Sequence, residues 1–287
     1  MAYRYEYANV QDGEKIAELL ENVDFKGEVS LAYCRRPNAV LSLEQDGDKS
    51  AFVIARDKDG EIVGCGACVI NGNTAYLTGM RANKWANIPK SYELLREFCK
   101  KNGVTLTYTT ILQDNISVQK MLEKQRPSMP NYLRYGECVI NIIRKKLKVK
   151  DKNILTQDGW FYVLKSQSGE ELARGRAVEQ WDYKQYVVKH YGWKMRLAKR
   201  FFKWIPNENE VLKFFSLCNV KANDNGALDS FLRHISHLPL QGAFFLYGGE
   251  CCPVKSIKYK SIIYIVDWDK TMSDTSGIEL DFEIDKL

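Results

Sequence analysis

The pattern of apolar and polar positions is clearest between residues 74 and 131. Thr74–Ala82 is an apolar run of strand length that leads into a turn rich in Asn, Lys and Pro. A helix is predicted to begin near Pro89-Lys90-Ser91, and a second strand to span residues 104–112. Gln113-Asp114-Asn115 then opens another helix. A strand, a loop and a helix start in this order suit an extended ligand that carries phosphates.

The residues before this segment predict one helix and several strands. Residues 14–23 have apolar side chains at helical spacing. Ala39–Leu43 and residues 51–56 are predicted to be strands, and residues 61–70 return as the hairpin partner of the second. The order of elements indicates an α+β fold built on one mixed, mostly antiparallel sheet flanked by helices.

The second half of the chain repeats part of this pattern. Residues 211–220, 243–247 and 259–268 are predicted to be strands, and a helix is predicted to begin at Asn225. A charged run at residues 144–152 separates the halves and is expected to be a solvated linker. We therefore expect two tandem domains, residues 1–147 and a divergent second copy at residues 153–287.

The start of the second half does not match the first. Residues 160–165 and 171–178 predict a hairpin, and residues 184–204 combine aromatic and basic side chains. Such a basic amphipathic helix is able to touch a membrane surface, an RNA or an acidic tail. The competing expectation is that its aromatic side chains pack into the protein's own core.

The amino-acid composition is that of a globular protein without a predicted membrane span. Hydrophobic residues make up 45% and charged residues 27% of the 287 residues, as in a globular protein. No apolar stretch has the length of a membrane span, and the first residues lack the apolar core of a signal peptide. A cytoplasmic location follows as the expectation. The net charge of +6 permits an anionic ligand such as coenzyme A (CoA) and does not by itself indicate nucleic acid.

The cysteine and histidine positions predict no metal site. Five of the eight cysteines lie in apolar periodic segments, where a thiol behaves as a small hydrophobe: Cys65, Cys68, Cys99, Cys138 and Cys218. Cys65 and Cys68 have C-x-x-C spacing, and Cys251-Cys252 would offer two more zinc ligands, but a second C-x-x-C or a histidine pair is missing. We expect buried structural thiols.

The segment from Tyr5 to Ile143 resembles the GNAT superfamily of N-acetyltransferases. Met80-Arg81-Ala82 occupies the place of the strand end whose backbone holds the thioester and the pantetheine arm in that family. Residues 86–91 occupy the place of the glycine-containing loop whose amides surround the pyrophosphate, with Pro89 in the loop and no central glycine. The resemblance implies acetyl-CoA as co-substrate and a cofactor site in the first half. The residues it assigns to that site are Met80, Arg81, Ala82, Lys84, Asn87, Lys90, Ser91 and Asn115.

The sequence does not identify the catalytic residues. Family members commonly carry a tyrosine seven residues after the position of Asn115 as general acid, and this chain has Leu122 there. Tyr108, Tyr132 and Tyr135 are local substitutes that the sequence does not rank. Tyr33, Arg35 and Arg36 are candidates to line the acceptor site.

The resemblance implies an N-acetyltransferase that acts on a primary amine of a small molecule or a peptide, in a monomer or a homodimer. An alternative is a catalytically degenerate module that binds acyl-CoA or a partner without chemistry. The missing loop glycine and the missing acid tyrosine motivate this alternative. A third hypothesis is a binder of an anionic surface or RNA through residues 184–203.

Overall fold

The computed structural model describes residues 3–22, 29–82, 88–124, 126, 128–179, 182–201 and 205–280. Within them the strands are β1 (Arg4–Tyr7), β2 (Val29–Arg35), β3 (Lys49–Arg56), β4 (Ile62–Asn71), β5 (Thr74–Ala82), β6 (Leu106–Leu112), β7 (Asn131–Arg144), β8 (Ile154–Asp158), β9 (Phe161–Lys165), β10 (Glu171–Glu179), β11 (Lys184–Tyr191), β12 (Phe214–Ala222), β13 (Phe244–Gly248) and β14 (Ile257–Asp267). The α-helices are α1 (Gly13–Glu21), α2 (Ala39–Leu43), α3 (Ile88–Lys101), α4 (Ile116–Glu123), α5 (Trp193–Phe201) and α6 (Asn225–Ile235).

The chain forms two compact units that are interleaved along the sequence. Unit 1 comprises Met1–Gly136, Trp181–Val211 and Ile262–Ile278. Unit 2 comprises Glu137–Gln180, Leu212–Ser261 and Glu279–Leu287. Most of β7 therefore belongs to unit 2, and the end of β14 belongs to unit 1. The sequence predicts two consecutive domains, residues 1–147 and 153–287. Their boundaries differ from those of the two units and stay a prediction.

Unit 1 is a mixed sheet with helices on both faces. Its strand order is β1-β3-β4-β5-β6-β14, in which β1, β3, β4 and β5 pair antiparallel in this order and β5 pairs parallel with β6. One face packs on α3 and α4 through a core that includes Leu77, Leu95 and Tyr264. The other packs on α1 and α2 through Leu20, Phe52 and similar side chains. The predicted α+β fold, with a mixed, mostly antiparallel sheet flanked by helices, is confirmed for this unit.

Unit 1 also contains a two-stranded antiparallel ribbon of β2 and β11. The expectation of one basic helix over residues 184–204 was wrong, because Lys184–Tyr191 is a strand and the helix among the described residues of this segment is Trp193–Phe201. Tyr186, Val187 and Val188 explain the difference, since aromatic and β-branched side chains favour a strand.

The predicted strand at Ala39–Leu43 was also wrong. These residues form α2, a single short helix. Asn38 starts it, because its side-chain oxygen accepts hydrogen bonds from the amides of Val40 and Leu41 at 3.0 and 3.3 Å. The hydrogen bonds of this N-cap stabilise a helical first turn, although the apolar run itself is typical of a strand.

Unit 2 has the strand order β7-β13-β12-β10-β9-β8, with α6 packed on the sheet. The predicted hairpin of β9 and β10 is confirmed by their antiparallel ladder. The charged run after β7 is not a solvated linker throughout: the amide of Lys145 donates to the Ala243 carbonyl, and that of Leu147 to the Ser236 hydroxyl, both at 3.0 Å. Among the described residues of both units, no helix is long and apolar enough to cross a bilayer.

Candidate functional site

Strands β5 and β6 of unit 1 separate part of the way along their length. Their parallel ladder runs from Thr74–Leu106 to Leu77–Thr109. Beyond it β5 continues to Ala82 and β6 to Leu112. Because the strands are parallel, their carboxyl ends lie at the same edge of the sheet, where α3 and α4 begin. Beyond the ladder, backbone groups of β5 and β6 are no longer paired with each other. This edge of the sheet also adjoins the starts of α3 and α4.

A bulge in β5 lies next to this opening. Residues Gly79 and Met80 together face Gly66 of β4, since Cys65 pairs with Arg81 and Ala67 pairs with Thr78. Gly79 has a φ of 63°, a left-handed conformation that glycine adopts without strain. The bulge redirects the last residues of β5.

Gly66 leaves room for the Met80 side chain. A Cβ atom on Gly66 would lie 2.2 Å from Met80 Sδ and 3.8 Å from a Leu95 methyl carbon. Met80 is half-buried against the core under α3. The bulged residue is therefore anchored by its side chain, which fixes the direction in which its backbone points.

The predicted cofactor residues occupy different environments. Arg81 and Ala82 are exposed at the end of β5, and the Arg81 guanidinium donates to the Met80 carbonyl at 2.9 Å. On the first turns of α3, Lys90 is exposed and Ser91 is 8% exposed. Lys84 and Asn87 lie outside the described residues.

Asn115 follows β6 and begins α4. Its side-chain oxygen accepts a hydrogen bond from the Val118 amide at 3.4 Å, which makes it the N-cap expected for an Asn at this position. Its predicted cofactor contact stays a prediction.

A polar aromatic cluster covers the α1 and α2 face of the same sheet. Tyr76 of β5 stacks on Tyr108 of β6 at 5.1 Å, and its hydroxyl shares a 2.8 Å hydrogen bond with Thr110. Thr110 lies one residue beyond the end of the β5–β6 ladder. This hydrogen bond therefore joins the two strands where they begin to separate.

The β2–β11 ribbon contributes the other half of the cluster. Tyr33 and Tyr186 are directly opposed in the ribbon, with ring centroids 5.5 Å apart. The Arg35 guanidinium lies 5.0 Å from the centre of the Tyr33 ring and forms an ion pair with Asp46. We call Tyr33, Tyr76, Tyr186, Arg35 and Asp46 the tyrosine cluster.

The phenols of the tyrosine cluster stay protonated at neutral pH. Burial raises the pKa of Tyr33 well above its usual value, with the Arg35 charge opposing this rise. Burial also raises the pKa of Tyr76, and that of Tyr186 more strongly. Neutral phenols donate hydrogen bonds and act as proton donors, and their ring faces pack against carbon. The cluster therefore suits a ligand with both polar and apolar surface.

Sequence reasoning found part of this cluster. Tyr33 and Arg35 both belong to it, and Arg35, at 1% exposure, forms the buried ion pair with Asp46. Arg36 is exposed and forms an ion pair with Glu21. Tyr76 and Tyr186 were missed, although alternation along β5 places Tyr76 and Thr78 on one face.

The other candidate phenols differ in accessibility. Tyr108 is 3% exposed beneath Tyr76, and Tyr132 is 8% exposed in the core next to Tyr92, where burial raises its pKa well above the usual value. The Tyr135 hydroxyl donates to the Ile278 carbonyl at 3.2 Å. Leu122 is also a core residue, at 6% exposure.

Unit 2 has a corresponding parallel strand pair with a different helix start. The parallel ladder of β12 and β13 ends at Leu217–Tyr247, while β12 continues to Ala222. Asp224 caps α6 by accepting from the Ala227 amide at 2.7 Å. A carboxylate at this position satisfies one helix amide and repels a phosphate.

Four of the five cysteines expected to be buried are buried, whereas Cys138 is half-buried. All eight are free, and Cys34, Cys65, Cys68, Cys99 and Cys218 are buried. Cys251 is exposed, with its Sγ 3.0 Å from Asn225 Oδ1. Within the described ranges, no group of three or more His, Cys, Asp or Glu side chains is arranged to hold a metal ion.

Comparison with known proteins identifies the fold. No family model and no curated protein matches the chain. Among solved structures, a GCN5-related glucosamine N-acetyltransferase region of a fungal multi-domain GH3 beta-N-acetylglucosaminidase matches 92% of this chain and 38% of that one, at 10% identity and a TM-score of 0.62.

Two further similarities are weaker. A probable N-acyltransferase of unknown function from Enterococcus faecalis has 9% identity and a TM-score of 0.47, covering 92% of this chain and 72% of that one. Saccharomyces cerevisiae N-myristoyltransferase with bound myristoyl-CoA has 8% identity and a TM-score of 0.48, covering 92% and 82%. The fungal match shows that the fold is that of GCN5-related N-acetyltransferases. At these identities it shows the fold alone.

Proposed function

We propose that this protein is an acyl-CoA-dependent N-acyltransferase, which transfers an acetyl group from acetyl-CoA to a primary amine of a small molecule or a peptide. The observation that carries the proposal is the divergence of β5 and β6 beyond Leu77 and Thr109, next to the Gly79–Met80 bulge. An opened parallel pair offers strand-edge amides and carbonyls to an extended pantetheine arm.

The donor side of the proposed site is the carboxyl end of β5 and the start of α3. Met80, Arg81 and Ala82 line the strand end. Pro89 lies in the first turn of α3 rather than in a preceding loop and lacks an N–H, so the remaining amides of that turn are offered to a diphosphate. Lys90 adds an exposed positive charge on that turn. Lys84, Asn87, Ser91 and Asn115 complete the set of proposed cofactor residues.

The acceptor side of the proposed site is the tyrosine cluster. The amine must arrive neutral and attack the thioester carbon, so that negative charge grows on the carbonyl oxygen before the C–S bond breaks. An amide of Met80 or Ala82 would stabilise that oxygen, and losing one such donor typically lowers the rate by about 10²–10³. Tyr76 is the phenol of the cluster at the point of strand divergence, and we assign it to orienting the amine or protonating the leaving thiolate. If Tyr76 gives its proton to the thiolate, the proton that the amine nitrogen loses restores the phenol.

A degenerate module that binds acyl-CoA without chemistry is the second candidate. One observation favours it: Leu122, at the position where the family resemblance implies an acid tyrosine, is a buried core residue. No phenol is supplied from that position, so catalysis depends on a proton donor elsewhere.

The first experiment measures binding and turnover together. Acetyl-CoA and longer acyl-CoA thioesters are added to the protein while its melting temperature is recorded, and thiol release is followed with a library of primary amines. A rise in melting temperature with amine-dependent thiol release supports the transferase. A rise without thiol release from any amine leaves the degenerate module, and no rise with any thioester refutes both.

The second experiment tests the acceptor side. Tyr76→Phe removes the hydroxyl but keeps the ring, and we expect kcat/KM for the amine to fall at least about tenfold while acyl-CoA affinity is retained. Tyr191→Phe is the matched control, since its hydroxyl donates to the Pro206 carbonyl outside the cluster. Equal activity of the two variants would remove Tyr76 from the proposed mechanism.

A further inference from the structure

Helix α5 carries a stripe of exposed apolar side chains. Trp193, Leu197 and Phe201 are spaced four residues apart, so they lie along one face of the helix. Their exposed fractions are 70%, 51% and 75%. The expectation that the aromatic side chains of this segment pack into the protein's own core was therefore wrong for Trp193 and Phe201. Large apolar side chains grouped at the surface indicate an interaction site.

Basic side chains border this stripe on both sides. Lys194 follows Trp193 and Arg200 precedes Phe201, and both are exposed. The Lys194 ammonium lies 5.7 Å from the centre of the Trp193 ring. At 100° per residue, the two cations fall on opposite edges of the apolar stripe. Their long side chains can extend away from an apolar phase that receives the stripe.

The opposite face of α5 is held by the protein. Arg196 Nη2 lies 3.2 Å from His190 Nδ1 and 3.7 Å from Glu208, and the Lys199 ammonium donates to Asn207 at 2.5 Å. These contacts fix which face of the helix points outward. Residues Trp193–Phe201 include four cations and no carboxylate, so the outward face is positive as well as apolar.

We propose that α5 docks this protein on an anionic lipid surface, with Trp193, Leu197 and Phe201 in the interfacial region and Lys194 and Arg200 at the headgroups. A Trp/Leu/Phe face flanked by Lys and Arg is the composition of helices that lie in the plane of a membrane interface. A nucleic acid would use the cations but leave the apolar stripe in water. The charge of the face matches anionic headgroups, whereas a second copy of the same face would bring like charges together.

The test is co-sedimentation of the full chain with vesicles. Vesicles of phosphatidylcholine mixed with phosphatidylglycerol are compared with vesicles of phosphatidylcholine alone, at low and high salt. We expect binding to the anionic vesicles that weakens with salt, and far weaker binding to the neutral ones. Trp193→Ala/Phe201→Ala should weaken binding about tenfold or more, and Lys194→Gln/Arg200→Gln about fivefold for each charge removed.

Matched controls use exposed residues elsewhere. Trp160→Ala removes a tryptophan that is 83% exposed, and Lys15→Gln/Lys58→Gln removes the same charge from exposed positions. Both should bind like the unmodified protein. The proposal is overturned if the unmodified protein binds neutral and anionic vesicles equally. It is also overturned if the α5 variants bind anionic vesicles as well as the unmodified protein does.

Two other outcomes also overturn it. One is binding of an RNA homopolymer without vesicle binding. The other is a dimer in sedimentation velocity that Trp193→Ala/Phe201→Ala converts to a monomer, which would make the stripe a self-association surface.

Discussion

Replacing Gly66 with alanine is expected to disturb the β5 bulge while changing a single methyl group. The new Cβ atom would lie 2.2 Å from Met80 Sδ, far inside van der Waals contact, so the thioether must withdraw by about 1 Å. Met80 packs against the core that includes Leu95, so moving its thioether changes those packing contacts. The strain falls on the residue whose backbone we assign to the acyl-CoA arm.

The magnitude follows from the size of this overlap. Overpacking a well-filled core typically costs about 1–3 kcal/mol, which corresponds to a fall in Tm of about 3–9 °C in a protein of this size. Removing the thioether should relieve the overlap. Gly66→Ala in a Met80→Ala background is therefore expected to cost at least about 1 kcal/mol less than in the unmodified protein.

The assay is a double-mutant cycle read by urea denaturation and by acyl-CoA affinity. Gly136→Ala in β7 is the matched control, because a Cβ atom there meets nothing within 4 Å and its φ is not positive. We expect the control to stay within about 0.5 kcal/mol of the unmodified protein. If the two substitutions at Gly66 and Met80 are additive in stability, the packing argument is refuted. If Gly66→Ala destabilises but acyl-CoA binds unchanged, the bulge is structural only.

Three other predictions test the rest of the molecule. Asp224→Asn keeps a capping side chain at α6 but removes its charge, so acyl-CoA affinity by calorimetry should be unchanged, and a large change would relocate the cofactor to unit 2. The Arg56 hydrogen bond lowers the pKa of Glu6, so this pair stabilises the fold above the ordinary glutamate pKa, and that contribution disappears as pH falls through the lowered value. The fall of Tm with pH should therefore be smaller in Arg56→Met, in which Arg4 still contacts Glu6, than in the unmodified protein, and an equal fall would contradict this. Ellman's reagent should react fastest with Cys251 in the native protein, and Cys251→Ser should abolish that phase, which a persisting fast phase would contradict.

The sequence predicted an element correctly where the apolar residues have one regular period and a turn or capping residue marks the end of the element. The strand at Thr74–Ala82 and the α3 start near Pro89 are found where the sequence predicts them. Asn115 caps α4 because a short polar side chain before an apolar periodic run satisfies the helix amides. These elements depend on interactions within a few residues, which a sequence displays directly.

Elements whose identity depends on distant partners were not predicted. The apolar residues of Lys184–Tyr191 are Tyr186, Val187, Val188 and Tyr191, a spacing without the alternation of a half-buried strand. The segment is a strand because it pairs with β2, more than a hundred residues earlier. The tyrosine cluster has the same origin. Tyr33, Tyr76 and Tyr186 lie on three separate strands, so no spacing in the sequence shows that their rings come together.

The two units show that shared backbone geometry does not give a shared site. In each unit the ladder of a parallel strand pair ends after four paired positions, and a helix follows the first strand of the pair. In unit 2 that helix begins with Asp224, whose carboxylate already accepts from a helix amide. In unit 1 the first turn of α3 carries the exposed Lys90. Because a diphosphate needs helix amides and positive charge together, the same fold favours a phosphate ligand at α3 and disfavours one at α6. The proposed acyl-CoA site is therefore decided by the side chains at the helix starts.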